Sequence, residues 1–372
     1  SRRQRQMCIR DRHDACYNSL SDLVNYEESL MFAVCVEAPT RIDLAGGTLD
    51  INPLFHILDR PITVNMGITL NAKVTVRPHE SGSFFFNSKD QELKSEGSFH
   101  DVTQSQELPL FGLLLKEFWR EDWPTLSIES SCLSPAGAGL GGSSCLAISM
   151  AFALQYTAQR LGLQEVDDEY DLVKKVQNIE TRLIRCPTGC QDYWGAVRGR
   201  LNVLSFGAGG VAVETINPEH TQYLSERMLV CYSGRSRASG MNNWSIFKRV
   251  FDGDDSLLAK LNQIGQISSK VSEAIRASRW NQVIEMSKEE WQLRKSLWPE
   301  IETAETKAID KAALEAGATL SRVCGAGGGG VMAIFVEPEL KNKVAEKVIE
   351  AGGQLLDATL SKQGVQVNIL EG

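Results

Sequence analysis

The sequence predicts an α+β fold in two layers, divided into two domains. Strand-like segments come first and then alternate with helical ones, which is not the pattern of a regularly doubly wound sheet. At 372 residues the chain is long for one core, and that length suggests roughly two domains. No internal repeat or low-complexity linker divides it, and the most natural boundary lies near residues 208–226, after the GAGG turn. The expected units are a leader over 1–30, a first domain over 31–215 and a second over 216–372.

Residues 32–38 (FAVCVEA) are apolar and β-rich, so they read as a strand. Residues 62–78 alternate between turn residues and predict one or two strands, and 83–87 (SFFFN) predict another. Residues 110–119 read as a helix with Pro109 at its start, and 125–133 as a strand. Residues 145–163 lack Pro, and lack Gly before Gly162, so they predict a buried helix. Residues 169–184 form an amphipathic helical pattern. Strands follow at 201–206, 210–216 and 228–233, then a mostly helical stretch over 256–298. A helix at 303–317 ends on Gly317 as its C-cap. A strand at 331–336, a helix at 340–352 and a closing strand at 365–370 complete the chain.

Composition narrows the function. Hydrophobic residues are 42% and charged residues 23%, as in an ordinary globular protein. A net charge of −8 argues against a nucleic-acid or membrane-surface binder, since both need a basic face. The nine Cys are scattered and lack zinc spacing, which reads as reduced thiols in a cytoplasmic protein. No apolar run reaches the roughly 18 residues of a membrane span. The basic start SRRQRQMCIRDR lacks a signal-peptide core. It resembles translated read-through of a sequencing-library adapter, the alternative being a natural disordered tail, and Met31 is the expected start.

The strongest local feature is the run Pro135-Ala136-Gly137-Ala138-Gly139-Leu140-Gly141-Gly142-Ser143-Ser144, between a strand and a long helix. Glycines let backbone N–H groups approach an oxyanion, and the helix N-terminus adds unpaired donors. The Ser hydroxyls suit phosphate oxygens or magnesium. The run is neither GxxxxGK[ST] nor a dinucleotide fingerprint. The plainer alternative is a tight turn with a Ser N-cap.

Glu180 falls within the apolar stripe of the 169–184 helix, beside Val176 and Ile184. A carboxylate there is costly unless paired or metal-bound. The alternative is a stripe-edge Glu reaching solvent or a Lys or Arg. Asp192 follows in the loop CPTGCQDYWGAVRG, where an Asp suits proton acceptance or, alone, a turn. Arg41 and Asp50 frame the segment RIDLAGGTLD; a carboxylate accepts two hydroxyl hydrogen bonds, which suits a polyol. The alternative is an Arg41–Asp50 ion pair closing the loop. A glycine run from Gly325 to Gly330, broken by Ala326, implies close backbone approach.

In this order, over residues 32–370, these motifs resemble the GHMP kinase superfamily (galactokinase, homoserine kinase, mevalonate kinase, phosphomevalonate kinase). That family's phosphate loop reads P-x-G-x-G-L-G-S-S, and the chain follows it from Pro135 to Gly141. It departs at Gly142, where the family usually carries a magnesium-ligating hydroxyl; Ser143 or Ser144 is expected to supply that oxygen. Pro187, Thr188, Gly189, Gln191, Asp192 and Gly195 fit the family's second loop, and Arg322 to Gly330 fits K-x-x-G-A-G-G-G-G with Arg for Lys.

The resemblance implies a two-domain GHMP kinase fold, ribosomal protein S5 domain 2-like at the N-terminus and ferredoxin-like at the C-terminus. It implies ATP and Mg2+. Pro135, Gly137, Gly139, Leu140, Gly141, Gly142, Ser143 and Ser144 would hold the nucleotide, and Glu180 with Ser143 the metal. Asp192 would be base or orienting group, with Arg41 stabilising charge beside it. Asp50, Gly46 and Gly47 would meet the sugar, together with Gly327 and Gly328 of the third motif, which is expected to pack beside the phosphate loop. The Gly46-Gly47-Thr48-Leu49-Asp50 form looks more like the heptose-phosphate kinase and fucokinase group than the G-E-H-T-D of galactokinase, and mevalonate kinases lack the final Asp. The stretch from Tyr232 resembles Y-T-G-x-S-R, so Arg235 and Arg237 would face a substrate phosphate or form a solvated basic turn.

The implied reaction is phosphoryl transfer to a sugar hydroxyl, at the anomeric position. The implied acceptor is a small sugar or sugar phosphate of heptose 7-phosphate, fucose or galactose type. No nucleic acid or membrane partner is implied, and the chain would act as monomer or homodimer. A mevalonate-pathway kinase and a non-catalytic sugar/ATP-binding regulator are the alternatives.

Overall fold

The computed structural model describes residues 32–79, 81–236 and 241–371. The expected leader, Met31 and Arg237 lie outside the described residues.

Strand β1 (Phe32–Ala45) runs past the expected 32–38 segment and carries Arg41 within it. Pro39 is tolerated because pairing with the last strand ends at Glu37 and the register with β2 (Ile62–His79) shifts between Pro39 and Thr40. β2 is one strand of 18 residues with different partners along its length. Residues Ile62–Met66 pair with β6 (Leu201–Gly207), and Ala72–His79 with β5 (Thr125–Cys132).

The remaining strands of the first sheet are β3 (Phe84–Ser88), β4 (Leu93–Gly97), β7 (Gly210–Ile216) and β12 (Gln366–Glu371). Its order is β12-β1-β2-β5-β3-β4, with β6 on β2 and β7 on β6. The end of the chain thus returns to the first sheet. The second sheet has the order β11-β8-β10-β9, from β8 (Met228–Tyr232), β9 (Leu320–Val323), β10 (Val331–Phe335) and β11 (Gln354–Leu356).

The helices are α1 (Phe99–Thr103), α2 (Pro109–Phe118), α3 (Gly142–Arg160), α4 (Glu169–Ile184), α5 (Gln191–Arg198), α6 (Gln222–Arg227) and α7 (Met241–Phe251), followed by α8 (Asp255–Arg276), α9 (Trp280–Lys295), α10 (Ala304–Ala316) and α11 (Lys341–Glu350). Gly317 caps α10 in the left-handed conformation, as expected. The segment holding Asp192, expected as a loop, is helix α5. Gly189 and Gly195 suggested a loop, but Tyr193, Trp194, Ala196 and Val197 are all buried and dock it. The elements the sequence did not announce, β4, β9, β11, α1, α6 and α7, are mostly three to six residues long, too short to show a period.

Helix α3 is apolar nearly all round because it is buried in the first core, among β1, β2, α2, α4 and α5. A second core joins β1, β2 and β6 to the second sheet and to helices α8, α9, α10 and α11. A third, small core packs Leu49, Ile51 and Leu54 against Ile246 and Val250 of α7 and Leu257 and Leu261 of α8. The site lies where these cores meet.

Candidate active site

A cavity of about 390 Å³ is lined by the glycine loop, Arg41, Asp50, Glu180 and Asp192. The loop reaches it at the N-terminus of α3. Gly141 caps that helix at φ +76°, in the left-handed region, and offers no capping side chain. The first helical hydrogen bond runs from Cys145 N–H to Gly141 O at 2.9 Å, so the N–H groups of Gly142, Ser143 and Ser144 have no helical partner. They and the helix dipole favour an anion. A Cβ on Gly141 would lie 2.9 Å from Asp192 Cβ, so glycine also sets how closely α5 approaches.

Glu180 projects from α4 onto the same turn. Its Oε1 accepts from Ser143 Oγ and its Oε2 from Ser144 Oγ, both at 2.6 Å. The Tyr193 hydroxyl of α5, 3.2 Å from Thr188 Oγ1, also lowers the pKa of this carboxylate. Burial pushes the Glu180 carboxyl above its ordinary value, against the hydroxyls that pull it down. Glu180 thus meets hydroxyls rather than solvent, Lys or Arg. A buried carboxylate beside two hydroxyls at a helix N-terminus fits magnesium bound with nucleotide phosphates, since that ion takes one or two carboxylates plus phosphate oxygens.

Arg41 bridges the loop and α5. Its Nε donates to Asp192 Oδ1 at 2.7 Å, a second guanidinium nitrogen meets the same oxygen, and Nη1 donates to Gly139 O at 2.8 Å. Burial opposes the Arg41 charge, but Asp192 and then Asp43 outweigh it and raise its pKa further, so it stays cationic. Asp50 does not pair with Arg41. Its Oδ2 accepts from Gln191 N–H at 2.9 Å, and a Cβ on Gly189 would collide with it. Burial, helped by the Asp192 charge, pushes the Asp50 carboxyl up to about 6, above the pull of the Gln191 bond.

The glycines expected at the substrate pack elsewhere. Gly46 N–H donates to Glu290 Oε1 at 3.0 Å, and a Cβ on Gly47 would lie 1.9 Å from Arg294 Nη1. Gly328 N–H donates to Ile301 O at 2.9 Å, and a Cβ on Gly327 would also strike Ile301. Of the third motif, Gly325 and Ala326 reach the cavity. Val331 N–H donates to Ala138 O at 2.7 Å, and a Cβ on Gly330 would fall 2.3 Å from that oxygen, so the end of the motif lies directly against the glycine loop. Arg235 is exposed and faces Glu305 at 3.5 Å, away from the cavity lining.

Behind the site lies a buried charge cluster. Asp43 Oδ2 accepts from Arg294 Nη1 and Arg322 Nη2, each at 2.9 Å, and Asp43 Oδ1 accepts from Gly325 N–H at 2.7 Å. Arg322 Nη1 also donates to Glu290 Oε2 at 2.9 Å. Burial raises the Asp43 carboxyl, but Arg322 and Arg294 outweigh it and hold it at about 2. The cluster ties β1 to α9 and β9. Sequence reading passed over Thr48, Tyr193, Asn243 and Arg294, all of which line the cavity. Arg294 gave no signal, since Glu290 four residues earlier in the same helical stretch is an ordinary partner for it.

Among the described residues, no helix is long and apolar enough to cross a membrane. A model described as the GHMP kinases N terminal domain matches residues 110–200, and one described as GHMP kinases C terminal matches 271–354. The chain is 26% identical over 353 residues to the D-glycero-alpha-D-manno-heptose 7-phosphate kinase of Campylobacter jejuni, covering 90% of this chain and 99% of that protein. It is 23% identical over 336 residues to the bifunctional fucokinase/GDP-fucose pyrophosphorylase of Arabidopsis thaliana, covering 85% of this chain and 31% of that protein. Its fold matches a D-glycero-D-manno-heptose 1-phosphate kinase from Bacteriodes thetaiotaomicron with TM-score 0.70 at 20% identity, over 90% of this chain and 98% of the other. It also matches Lactococcus lactis galactokinase complexed with galactose, with TM-score 0.71 at 16% identity, over 93% and 99%.

Proposed function

We propose that this chain, which belongs to the GHMP kinase family, is a sugar kinase that transfers the terminal phosphoryl group of ATP to a sugar hydroxyl. One observation carries the reading: Asp192, clamped by Arg41, stands between the anion-binding turn of α3 and the buried carboxylate of Asp50 in one cavity. The phosphates belong at Pro135 to Ser144, and the acceptor beside Asp50.

Phosphoryl transfer asks little covalent chemistry of a protein; positioning and charge stabilisation supply most of the rate. The free N–H groups of α3 orient the phosphates. Glu180, with Ser143 or Ser144, would hold magnesium. Bound there, the ion neutralises charge on the phosphate oxygens. Asp192 orients the attacking hydroxyl and takes its proton as the O–P bond forms. Arg41 fixes that carboxylate and brings a permanent positive charge beside the transferring group. Asp50 accepts hydrogen bonds from sugar hydroxyls.

The acceptor is a hexose- or heptose-type sugar or its phosphate, and the hydroxyl is the anomeric one, giving a sugar 1-phosphate. The heptose 7-phosphate kinase likeness and the form of residues 46–50 support this. Residues 31–215 form the ATP-binding domain and 216–372 the second, apart from the closing strand β12, which joins the sheet of the first, in a cytoplasmic monomer or homodimer. Cys35, Cys132, Cys145, Cys190, Cys231 and Cys324 are free thiols, in keeping with that location.

The test is ADP release over fucose, galactose, mannose-type sugars and heptose 7-phosphate, with Asp192→Asn as control. Sugar-dependent turnover that falls about 10²–10⁴-fold in Asp192→Asn is expected. Full activity in that variant removes the catalytic role of Asp192. Release with mevalonate alone, or ATP binding without turnover of any sugar, overturns the reading.

A further inference from the structure

Thr48 and Asn243 meet in the wall of the cavity: Thr48 Oγ1 donates to Asn243 Oδ1 at 3.1 Å, and both residues line the cavity with Asp50. Thr48 has φ +81°, although it is β-branched, and it is 3% exposed. A threonine in the left-handed region is a genuine outlier, and such strain persists only where the surroundings over-determine it. They do so here. Leu49 and Ile51 are fully buried in the third core, against Ile246 and Val250 of α7. In the same turn, Thr48 and Asp50 instead line the cavity. On α7, Asn243 sits three residues before Ile246, so the helix that buries Ile246 also brings its amide to the cavity. The Thr48 bond orients that amide, and its Nδ2 has no hydrogen-bond partner among the described residues.

We infer that Asn243, oriented by Thr48, is a specificity-determining residue: its amide N–H donates to an acceptor hydroxyl next to the one held by Asp50. The acceptor is therefore a polyol with two neighbouring hydroxyls facing this wall. The inference rests on the kinase reading above. A site built to hydrogen-bond a hydroxyl rejects the analogue lacking it far more strongly than an apolar wall does.

The experiment measures KM for the sugar, KM for ATP and kcat, by ADP release over the same panel, with wild type, Asn243→Ala, Thr48→Val and the double variant. Lys248→Ala, on the exposed side of α7, serves as control. Asn243→Ala is expected to raise the KM of the preferred sugar about tenfold or more, with KM for ATP and the melting temperature unchanged. The double variant is expected to add little to either single change, because the two residues act as one unit. A deoxy analogue lacking the hydroxyl that Asn243 reads should show no penalty on mutation. An unchanged sugar KM, or equal rises for sugar and ATP, overturns the inference. If only a non-sugar alcohol such as mevalonate is turned over, the sugar reading fails, and the effect of Asn243→Ala on that acceptor's KM still decides the inference.

Discussion

Glu180 and Ser144 are joined by a 2.6 Å hydrogen bond between α4 and the first turn of α3, and Ser143 holds the other oxygen of the same carboxylate at the same distance. The hydroxyl that Gly142 lacks is thus followed by two that converge on one acid. Ser144 is buried, whereas Ser143 is exposed. Ser144→Ala is expected to cost stability by about 1–3 kcal/mol, as loss of a bond to a charged group does, read as a lower Tm. Ser143→Ala is expected to leave Tm nearly unchanged and to raise the magnesium concentration for half-maximal rate. The opposite assignment would show both effects exchanged between the two variants.

Gly141→Ala should damage catalysis more than stability. The left-handed backbone costs a non-glycine residue about 1–2 kcal/mol. The added Cβ, 2.9 Å from Asp192 Cβ, also pushes the carboxylate away from its place at Arg41. A fall in kcat of about tenfold or more, with a Tm loss of only a few degrees, is expected; steady-state kinetics and thermal melting check it.

Asp50 makes stability depend on pH. Its carboxyl stands at about 6 in the folded chain against 3.8 in its ordinary state. The folded state therefore keeps the proton where the unfolded state has released it. Stability from this group is greatest below about pH 4 and is lost as pH rises to about 6. The shift is roughly two units, worth on the order of 3 kcal/mol. Asp50→Asn should thus raise Tm at pH 8, change it little at pH 4, and raise the KM of the sugar. An unchanged Tm at pH 8 contradicts the raised carboxyl.

Arg322→Met removes a guanidinium shared by Asp43 and Glu290, both wholly buried. The uncompensated carboxylates should cost about 3–5 kcal/mol, measured by urea unfolding. A loss under about 1 kcal/mol would show that the cluster rearranges or admits water.

Much of the site was legible along the chain. The glycine run and Glu180 stand out locally, because a glycine-rich strand-to-helix turn and a carboxylate in an apolar stripe are each costly without a ligand or partner, whereas Asp192, alone a turn residue, takes its weight from its place after them. The helix carrying Asp192 was not legible. Its glycines suggest a loop, and only docking of Tyr193 and Trp194 into the first core makes it helical. Nor could Arg294 or Arg322 be paired in advance with Asp43, more than 250 residues away in sequence.

The sequence by itself determined most of the longer strands and helices, the glycine-rich turn before α3 and the buried acid Glu180 that faces it, since each follows from local period, backbone freedom or the cost of burying charge. Tertiary structure alone decided that Gly46 and Gly47 pack on a charge cluster and that Thr48 meets Asn243 across the cavity, and it chose the Arg41–Asp192 contact that the resemblance implied over the Arg41–Asp50 pair that the residues also allowed. Those pairings depend on which faces the three cores bring together. That choice rests on burial summed over the whole chain, which no local pattern records.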